Sequence, residues 1–462
     1  MDIEAFRRWA HEIVDWMADY LESIDQQRVV PEVEPGELRA QFEATPPTQG
    51  EAFGDIFADF RETVAPGMTH WNHPGWFAYF PANNSPPSIL AEMLVATMGA
   101  QCMSWETSPA ATELEETVMD WLAQMLELPD AFSGVIQDTA STSSLVALLT
   151  AREQKTDHAF GVDGAACEDA GRLVVYTSDQ SHSSIAKGAK LAGFGLERVR
   201  IIPSDDTYAM RPDALRDAVE RDLADGLIPC CVNATVGTTS STGIDDVKAI
   251  GAICEEHDIW LHVDAAYAGS AAILPELRWI LDGIEHADSF VFNPHKWLLT
   301  NFDCSAFFVR DVDALLHTFS ASPAYLQTRH DDEVSNFRDW GIQLGRRFRA
   351  LKLWFVIRSY GVDGLQQMLR KHISLTDELR GWLEEDPDVQ VVAPSPFGLV
   401  CFRYVPGGYD AEQADAFNEE LLERVNRDGR VYLTRTRLDG RFIIRFSIGA
   451  WLTEREHVEQ AW

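Results

Sequence analysis

The sequence predicts an α/β protein with a mainly parallel central sheet flanked by helices. Two observations lead there. Short apolar, β-branched runs alternate with helical segments through the middle of the chain, and polar residues follow each run. Such alternation gives strands joined by crossover helices, and the sheet is then buried on both faces. Ligands of open α/β sheets gather at the carboxyl ends of the strands, so the residues after each run are the ones to read.

In chain order, Phe6, Trp9, Ile13, Trp16, Met17, Tyr20, Leu21 and Ile24 recur at helical spacing. They mark an amphipathic helix with a large aromatic face, to be buried against the chain's own core or a partner subunit. Residues 1–85 read as helices and loops rich in proline and aromatics, ending in HWNHPGWFAYFPANNSPPS, His70 to Ser88. A long helix is expected over Pro109 to Leu126, with Thr112 and Glu115 as a capping-type start. Strands are expected near Leu173–Tyr176, Ile228–Asn233, Trp260–Val263, Ser289–Phe292 and Ser305–Val309, with helices at Pro212–Ala224 and Asp246–Glu256. After about Arg358 a smaller α+β segment follows, with strands near Leu399–Phe402 and Phe442–Phe446. The division is therefore 1–85, a helical N-terminal segment; 86–357, a large α/β domain; and 358–462, a small α+β domain.

Composition narrows the function classes. The 462 residues are 46% hydrophobic, ample for a large core. No apolar run approaches the ~18 residues that span a bilayer. The first residues lack a continuous apolar stretch and carry too many acids for a targeting peptide. With 73 acidic against 38 basic residues the formal charge is −35, which makes nucleic acid and anionic membranes poor partners. That acidity, with arginine favoured over lysine, fits a salt-rich cytoplasm or a GC-rich coding bias. The seven cysteines show no CxxC pairs or regular spacing, which points to a reduced, cytoplasmic protein. His70 and His73 stand three apart without the acid or thiol that would complete a metal site, so no metal is expected.

The strand ends carry the chemistry. After Ser289–Phe292 comes NPHKW, with Lys296 behind His295; a desolvated lysine at a rigid strand end has a lowered pKa and a free nucleophilic amine. After Trp260–Val263 comes Asp264, costly beside an apolar strand unless a cation meets it. TSDQSHSS places His182 among small residues, where it could lie flat against a ring. ATVGTTS supplies Thr238 and Thr239. DTASTS (Asp138–Ser143) offers hydroxyls and amides suited to a phosphate, including Ala140 and Ser141. Taken singly, these residues suit a helix cap, a core-edge aspartate, a satisfied histidine and a surface lysine. Jointly, a phosphate cradle, a carboxylate for a ring nitrogen, a histidine to stack and an amine for an aldehyde describe pyridoxal 5′-phosphate. No GxGxxG follows a strand and no GxxxxGK[ST] is present, which removes the nicotinamide and P-loop readings.

PGMTHWNHP (66–74), FAYFPA (77–82), SPAATELE (108–115), HVDAAYAGSA (262–271), NPHKWLLTNFDCSA (293–306) and QLGRRFRALKLWFVIRSYG (343–361) carry a resemblance along nearly the whole chain. It is similar to the group II pyridoxal-phosphate-dependent amino-acid decarboxylases, most closely the aromatic-L-amino-acid decarboxylases. That resemblance implies a fold-type-I, transferase-like PLP enzyme acting as a homodimer with a shared active site, the segment 1–85 packing across the dimer and 86–357 binding the PLP. It implies decarboxylation of an aromatic L-amino acid of the tryptophan, 5-hydroxytryptophan, dopa or tyrosine class to the arylalkylamine and CO2.

By position, Lys296 resembles the lysine that joins the cofactor aldehyde, Asp264 the partner of the ring nitrogen, and His182 the histidine stacked on the ring. Ala140, Ser141 and Asn293 match phosphate-binding positions, with Ser289 and His295 nearby and Thr239 close to the cofactor. Tyr325 falls in the catalytic loop that closes over the neighbouring subunit's site and resembles the group that protonates Cα. Relatives that release an aldehyde by oxidative deamination tend to carry phenylalanine there. Trp71, Tyr79, Phe80 and Pro81 form an aromatic set suited to a flat side chain, or to packing the N-terminal segment on the core. Ala82, Gln101 and Met103 depart from the animal enzymes, and Asp138 would repel a phosphate unless turned away. Gly345 matches a position where plant relatives use glycine for indolic substrates.

Overall fold

The computed structural model describes residues 1–320, 330 and 333–462. Its strands, in chain order, are β1 Trp76–Phe77, β2 Ser133–Gln137, β3 Leu173–Ser178, β4 Val199–Ile202, β5 Ile228–Thr235 and β6 Trp260–Asp264. They continue as β7 Ser289–Phe292, β8 Ser305–Val309, β9 Val389–Val391, β10 Leu399–Tyr404, β11 Tyr432–Leu438 and β12 Arg441–Ser447.

Seven strands form the central sheet in the order β2-β8-β7-β6-β5-β3-β4. Only β8 runs antiparallel to its neighbours, so the other six share one direction. Helices Ala140–Lys155, Pro212–Ala224 and Val247–Glu256 cross between strands, and every residue of β3, β7 and β8 is buried. Burial on both faces explains why these strands read as continuous apolar runs rather than alternating ones. The five strands expected in this region are all present. β2 and β4 escaped the sequence reading because SGVIQ and VRII are short and carry polar residues.

The second sheet has the order β1-β11-β12-β10-β9. Its first strand comes from the N-terminal segment, with Trp76 and Phe77 beside Tyr432 and Leu433, so residues 76–81 are held against the C-terminal part of the chain. The helix Arg349–Glu385 runs through residues 357 and 358 and bends at Gly361, whose φ of 65° and ψ of 171° are not helical. Glycine tolerates that conformation at little cost.

Two local expectations change. The helix Pro109–Leu126 begins behind Ser108, and neither Thr112 nor Glu115 caps it. Glu115 is instead buried, accepting the Ile136 N–H at 2.9 Å and pairing with Arg346 at 2.6 Å. A carboxylate so placed ties the helix to β2 rather than to its own first turn. In the first helix, Ile3–Ser23, no residue is buried. Its aromatic face meets the segment 53–64 of the same chain: Trp9 lies 5.3 Å from Phe53 and Trp16 lies 5.0 Å from Phe60, while Phe6 stays exposed.

Candidate active site

The carboxyl edge of the central sheet opens into a cavity of about 210 Å³. It is reached by the last residue of β6 (Asp264), by Asn293, His295 and Lys296 after β7, by His182 beyond β3, and by Thr235, Gly237 and Thr239 beyond and at the end of β5. Thr139, Ala140 and Ser141 close one side at the start of the helix Ala140–Lys155, where free N–H groups and the helix dipole favour an anion. Asp138 does not oppose that: its carboxylate accepts the Thr139 N–H at 2.6 Å and the Gln343 side-chain amide at 3.0 Å.

A second chamber of about 540 Å³ shares Phe80, His182, Thr239, His295, Lys296 and Phe302 with the first and adds Trp71, Tyr79, Pro81, Ala82 and Arg445. The two therefore form one site, polar inside and aromatic outside, with Lys296 at the junction. Tyr79 takes a left-handed backbone, φ 52°, uncommon for a side-chain-bearing residue. Its ring stacks on Trp71 at 5.6 Å.

The electrostatics suit an amine nucleophile. Burial lowers the pKa of Lys296, Asp264 opposes the shift, and the nearby Arg445 guanidinium adds to it. Lys296 Nζ stands 5.4 Å over the Phe80 ring, which is stacked at 3.8 Å on Tyr267, itself 4.8 Å from Trp297. Asn83 holds the Lys296 carbonyl at 3.0 Å and the Gly449 carbonyl at 2.7 Å. Backbone and ring are thus both fixed around the amine. Asp264 accepts the Ala266 N–H at 3.0 Å.

Burial favours the neutral form of both histidines. His182 has a pKa lowered by burial, against the pull of Asp264, and its Nδ1 accepts the Ser184 N–H at 3.2 Å. Burial takes His295 down to about 3, and its Nδ1 accepts the Cys304 N–H at 2.9 Å. With Nδ1 accepting, each ring carries its proton on Nε2 and can donate from there.

Ser289 is a correction. It opens β7, level with His262 and two residues before Val291, the partner of Asp264, and therefore lies at the amino edge of the sheet. Its hydroxyl accepts the Trp260 indole N–H at 2.9 Å and meets His262 Nδ1 at 2.9 Å, beneath the cavity rather than in it. Gln101, Met103 and Gly345 also lie outside the cavity of their own chain. They pair with one another's segments: Arg346 N–H donates to Gln101 Oε1 at 2.8 Å, and Arg338 N–H to the Met103 carbonyl at 2.9 Å. Tyr325 falls outside the described residues.

Arg445 and Phe302 were missed. Arg445 sits in β12 between Ile444 and Phe446, and a lone arginine inside an apolar strand was the available signal. It is 4% exposed, and among the described residues it has no carboxylate partner. Its guanidinium donates to the Thr239 carbonyl at 2.8 Å and to Thr434 Oγ1 at 3.0 Å and lies 5.3 Å from the Phe80 ring. Phe302, 59% exposed, belongs to the loop before β8 and its ring lies 4.7 Å from His295.

A profile described as "Pyridoxal-dependent decarboxylase conserved domain" matches residues 35–405. Aromatic-L-amino-acid decarboxylase of Sus scrofa is 47% identical over 474 residues, which span all of this chain and 96% of that protein. Phenylacetaldehyde synthase of Arabidopsis thaliana is 44% identical, spanning all of this chain and 95% of that one. A solved structure of Oryza sativa TDC with PLP and tryptamine superposes with a TM-score of 0.97 at 40% identity, covering all of this chain and 97% of that one. The cavity fits pyridoxal 5′-phosphate on its own chemistry. It offers a desolvated lysine, a carboxylate, a helix N-terminus and a buried Asn293 Oδ1 that has no partner among the described residues. The chain belongs to the pyridoxal-dependent decarboxylase family and is a PLP-dependent amino-acid decarboxylase of the aromatic class.

Proposed function

We propose that the protein converts an aromatic L-amino acid, with an indolic side chain preferred, to its arylalkylamine and CO2. The observation that carries this is the aromatic outer chamber opening directly onto Lys296, with a buried guanidinium on its wall that has no carboxylate partner among the described residues. Trp71 and Tyr79 give a flat side chain two stacked rings, and Arg445 offers the α-carboxylate a counter-charge.

Bound in the inner chamber, pyridoxal phosphate supplies an aldehyde for amines and a ring that accepts the electron pair left behind by CO2. The chain's own groups do the rest. Thr139–Ser141, with the Asn293 side-chain N–H donating, would hold the phosphate, and Asp264 would hold a proton at the ring nitrogen. His182 would cover the ring, and His295 would offer its Nε2 proton to the site. Lys296 anchors and releases. Tyr325 delivers the proton to Cα, a role that rests on its place in the sequence. A cytoplasmic homodimer would bring Gln101, Met103 and Gly345 of one chain to the outer chamber of the other, which gives a use to side chains that miss their own cavity.

Aldehyde formation with ammonia release is the second reading, favoured by the similarity to an aldehyde synthase. A decarboxylase of non-aromatic amino acids is the third. Incubation with tryptophan, 5-hydroxytryptophan, dopa, tyrosine, phenylalanine, histidine and glutamate, with products identified by mass spectrometry, separates them. Amine and CO2 from the aromatic acids are expected. Aldehyde with ammonia and peroxide would replace the main reading with the second, and turnover of glutamate alone would defeat the aromatic assignment. Tyr325→Phe should lower amine release and raise aldehyde; an unchanged ratio would remove Tyr325 as the donor.

A further inference from the structure

The loop between Trp297 and β8 carries Phe302 to the wall of both chambers and ends on Cys304, whose backbone grips His295 at two points. The Cys304 N–H donates to His295 Nδ1 at 2.9 Å, and the Cys304 carbonyl accepts the His295 N–H at 3.3 Å. The Phe302 ring lies against the same imidazole, 4.7 Å away.

Asp303 stands between these two residues and lines neither chamber. Its carboxylate accepts Arg349 Nε at 2.8 Å and, more loosely, Arg349 Nη2 at 3.4 Å, a two-pronged contact with the first residue of the helix Arg349–Glu385. Arg349 is buried, whereas Arg347 is exposed and comes only within 3.8 Å of the same carboxylate. Burial works against the Asp303 charge, but hydrogen bonding and attraction from Arg349, helped by Lys352 and Arg347, outweigh it and hold the carboxyl below its usual pKa.

An ion pair so far from water contributes little net stability over an apolar contact. What it adds is direction. The Cys304 N–H belongs to the peptide that joins it to Asp303, so a fixed Asp303 side chain aims that N–H at His295. Upstream, Ser85 Oγ donates to the Leu299 carbonyl at 2.8 Å and Ser88 Oγ accepts the Asn301 N–H at 2.8 Å. Those ties end at Asn301, which leaves the peptide of the clamp to the ion pair.

We propose that the Asp303–Arg349 pair is a positioning device for the decarboxylation: by fixing the peptide before Cys304, it keeps the His295 ring and the Phe302 wall in register with Lys296. This rests on the decarboxylase reading of the cavity, since Asp303 and Arg349 line neither chamber themselves.

The test compares the cofactor-loaded enzyme with its Asp303→Asn, Arg349→Gln and double variants, each checked for folding by near-ultraviolet circular dichroism. Deuterium exchange at the imidazole C2 position, read by peptide mass spectrometry, follows the titration of His295 without turnover, so its result stands apart from the substrate reading. The parent should show no His295 midpoint between about pH 5 and 8, because burial takes that ring down to about 3. The charges facing the ring are Lys296 and Lys352, which lower its pKa, and Asp303, which raises it. Neutralising Asp303 alone would therefore push the ring lower still. Release of the clamp does the reverse, by admitting water: a midpoint between about pH 5 and 6.5 is expected in Asp303→Asn and in Arg349→Gln alike. For the aromatic amino acid that the parent turns over fastest, kcat/KM should fall about 10- to 100-fold in each single variant. The double variant should lose no more, as two residues acting through one contact require. Asp303→Asn keeps the side-chain volume and decides the matter if Arg349→Gln folds poorly. A parent midpoint at the ordinary histidine value, a His295 profile unmoved in the variants, or losses that multiply in the double variant would each overturn the proposal.

Discussion

At the scale of the residue, the site is a set of charges held where water is scarce. Lys296 is freed by burial, and Arg445 stands nearby, bonded to carbonyls and a hydroxyl and close to the Phe80 ring. If Arg445 receives the substrate carboxylate, Arg445→Gln should raise KM for the amino acid about 10- to 100-fold with a smaller change in kcat, since a charge-assisted hydrogen bond contributes about 1.5–3 kcal/mol. Steady-state kinetics decides it; an unchanged KM would leave Arg445 a purely structural residue. Lys296, Asp264 and His182 were legible in the sequence because each ends or follows a strand, and strands of a parallel sheet end at one edge. Ser289 was misplaced because a residue opening a strand faces the other edge. Arg445 stood out as an arginine in an apolar strand, but its place in the site was not legible, because β12 belongs to the second sheet and only tertiary folding brings it to the cavity.

At the scale of the element, two helices do specific work. The helix Ala140–Lys155 directs its first N–H groups at the inner chamber, so Ser141→Asp should set a fixed negative charge where a phosphate belongs. Cofactor affinity, followed by absorbance and dialysis, should fall at least tenfold; unchanged affinity would move the phosphate elsewhere. The helix Arg349–Glu385 reaches the catalytic segment through His372, whose Nδ1 accepts the Trp297 indole N–H at 2.9 Å. Burial takes His372 down to about 3, against an ordinary value near 6.5. The unfolded chain therefore binds the extra proton between those values. The residue's contribution is complete above about pH 6.5 and is lost as pH falls toward 3. His372→Gln keeps an acceptor for Trp297 but does not titrate. The stability gap between the parent and this variant should shrink by about 2 kcal/mol from pH 7 to pH 5, read from chemical unfolding. A gap independent of pH would contradict the buried neutral ring. The central strands could be read from sequence because both faces are buried, whereas Glu115 suggested a cap only because its tertiary partners, Ile136 and Arg346, are distant in the chain.

At the scale of the whole molecule, the surface is incomplete. Leu90, Leu94 and Met98 stand exposed on one helix, with Phe302, Ile342 and Leu344 also uncovered. Leu90, Leu94 and Met98 recur every four residues on one face of that helix, an exposed apolar stripe of the kind that marks an interface, which fits the proposed homodimer. Met98→Glu should shift the sedimenting mass from twice the chain's to that of a single chain and abolish amine production; a single-chain mass in the parent protein would refute the shared site. The most direct test of the account is to reduce the cofactor-loaded protein with borohydride and map the labelled peptide by mass spectrometry. One pyridoxyl group per chain on Lys296 is the predicted result. A label on another lysine, or none, would contradict it.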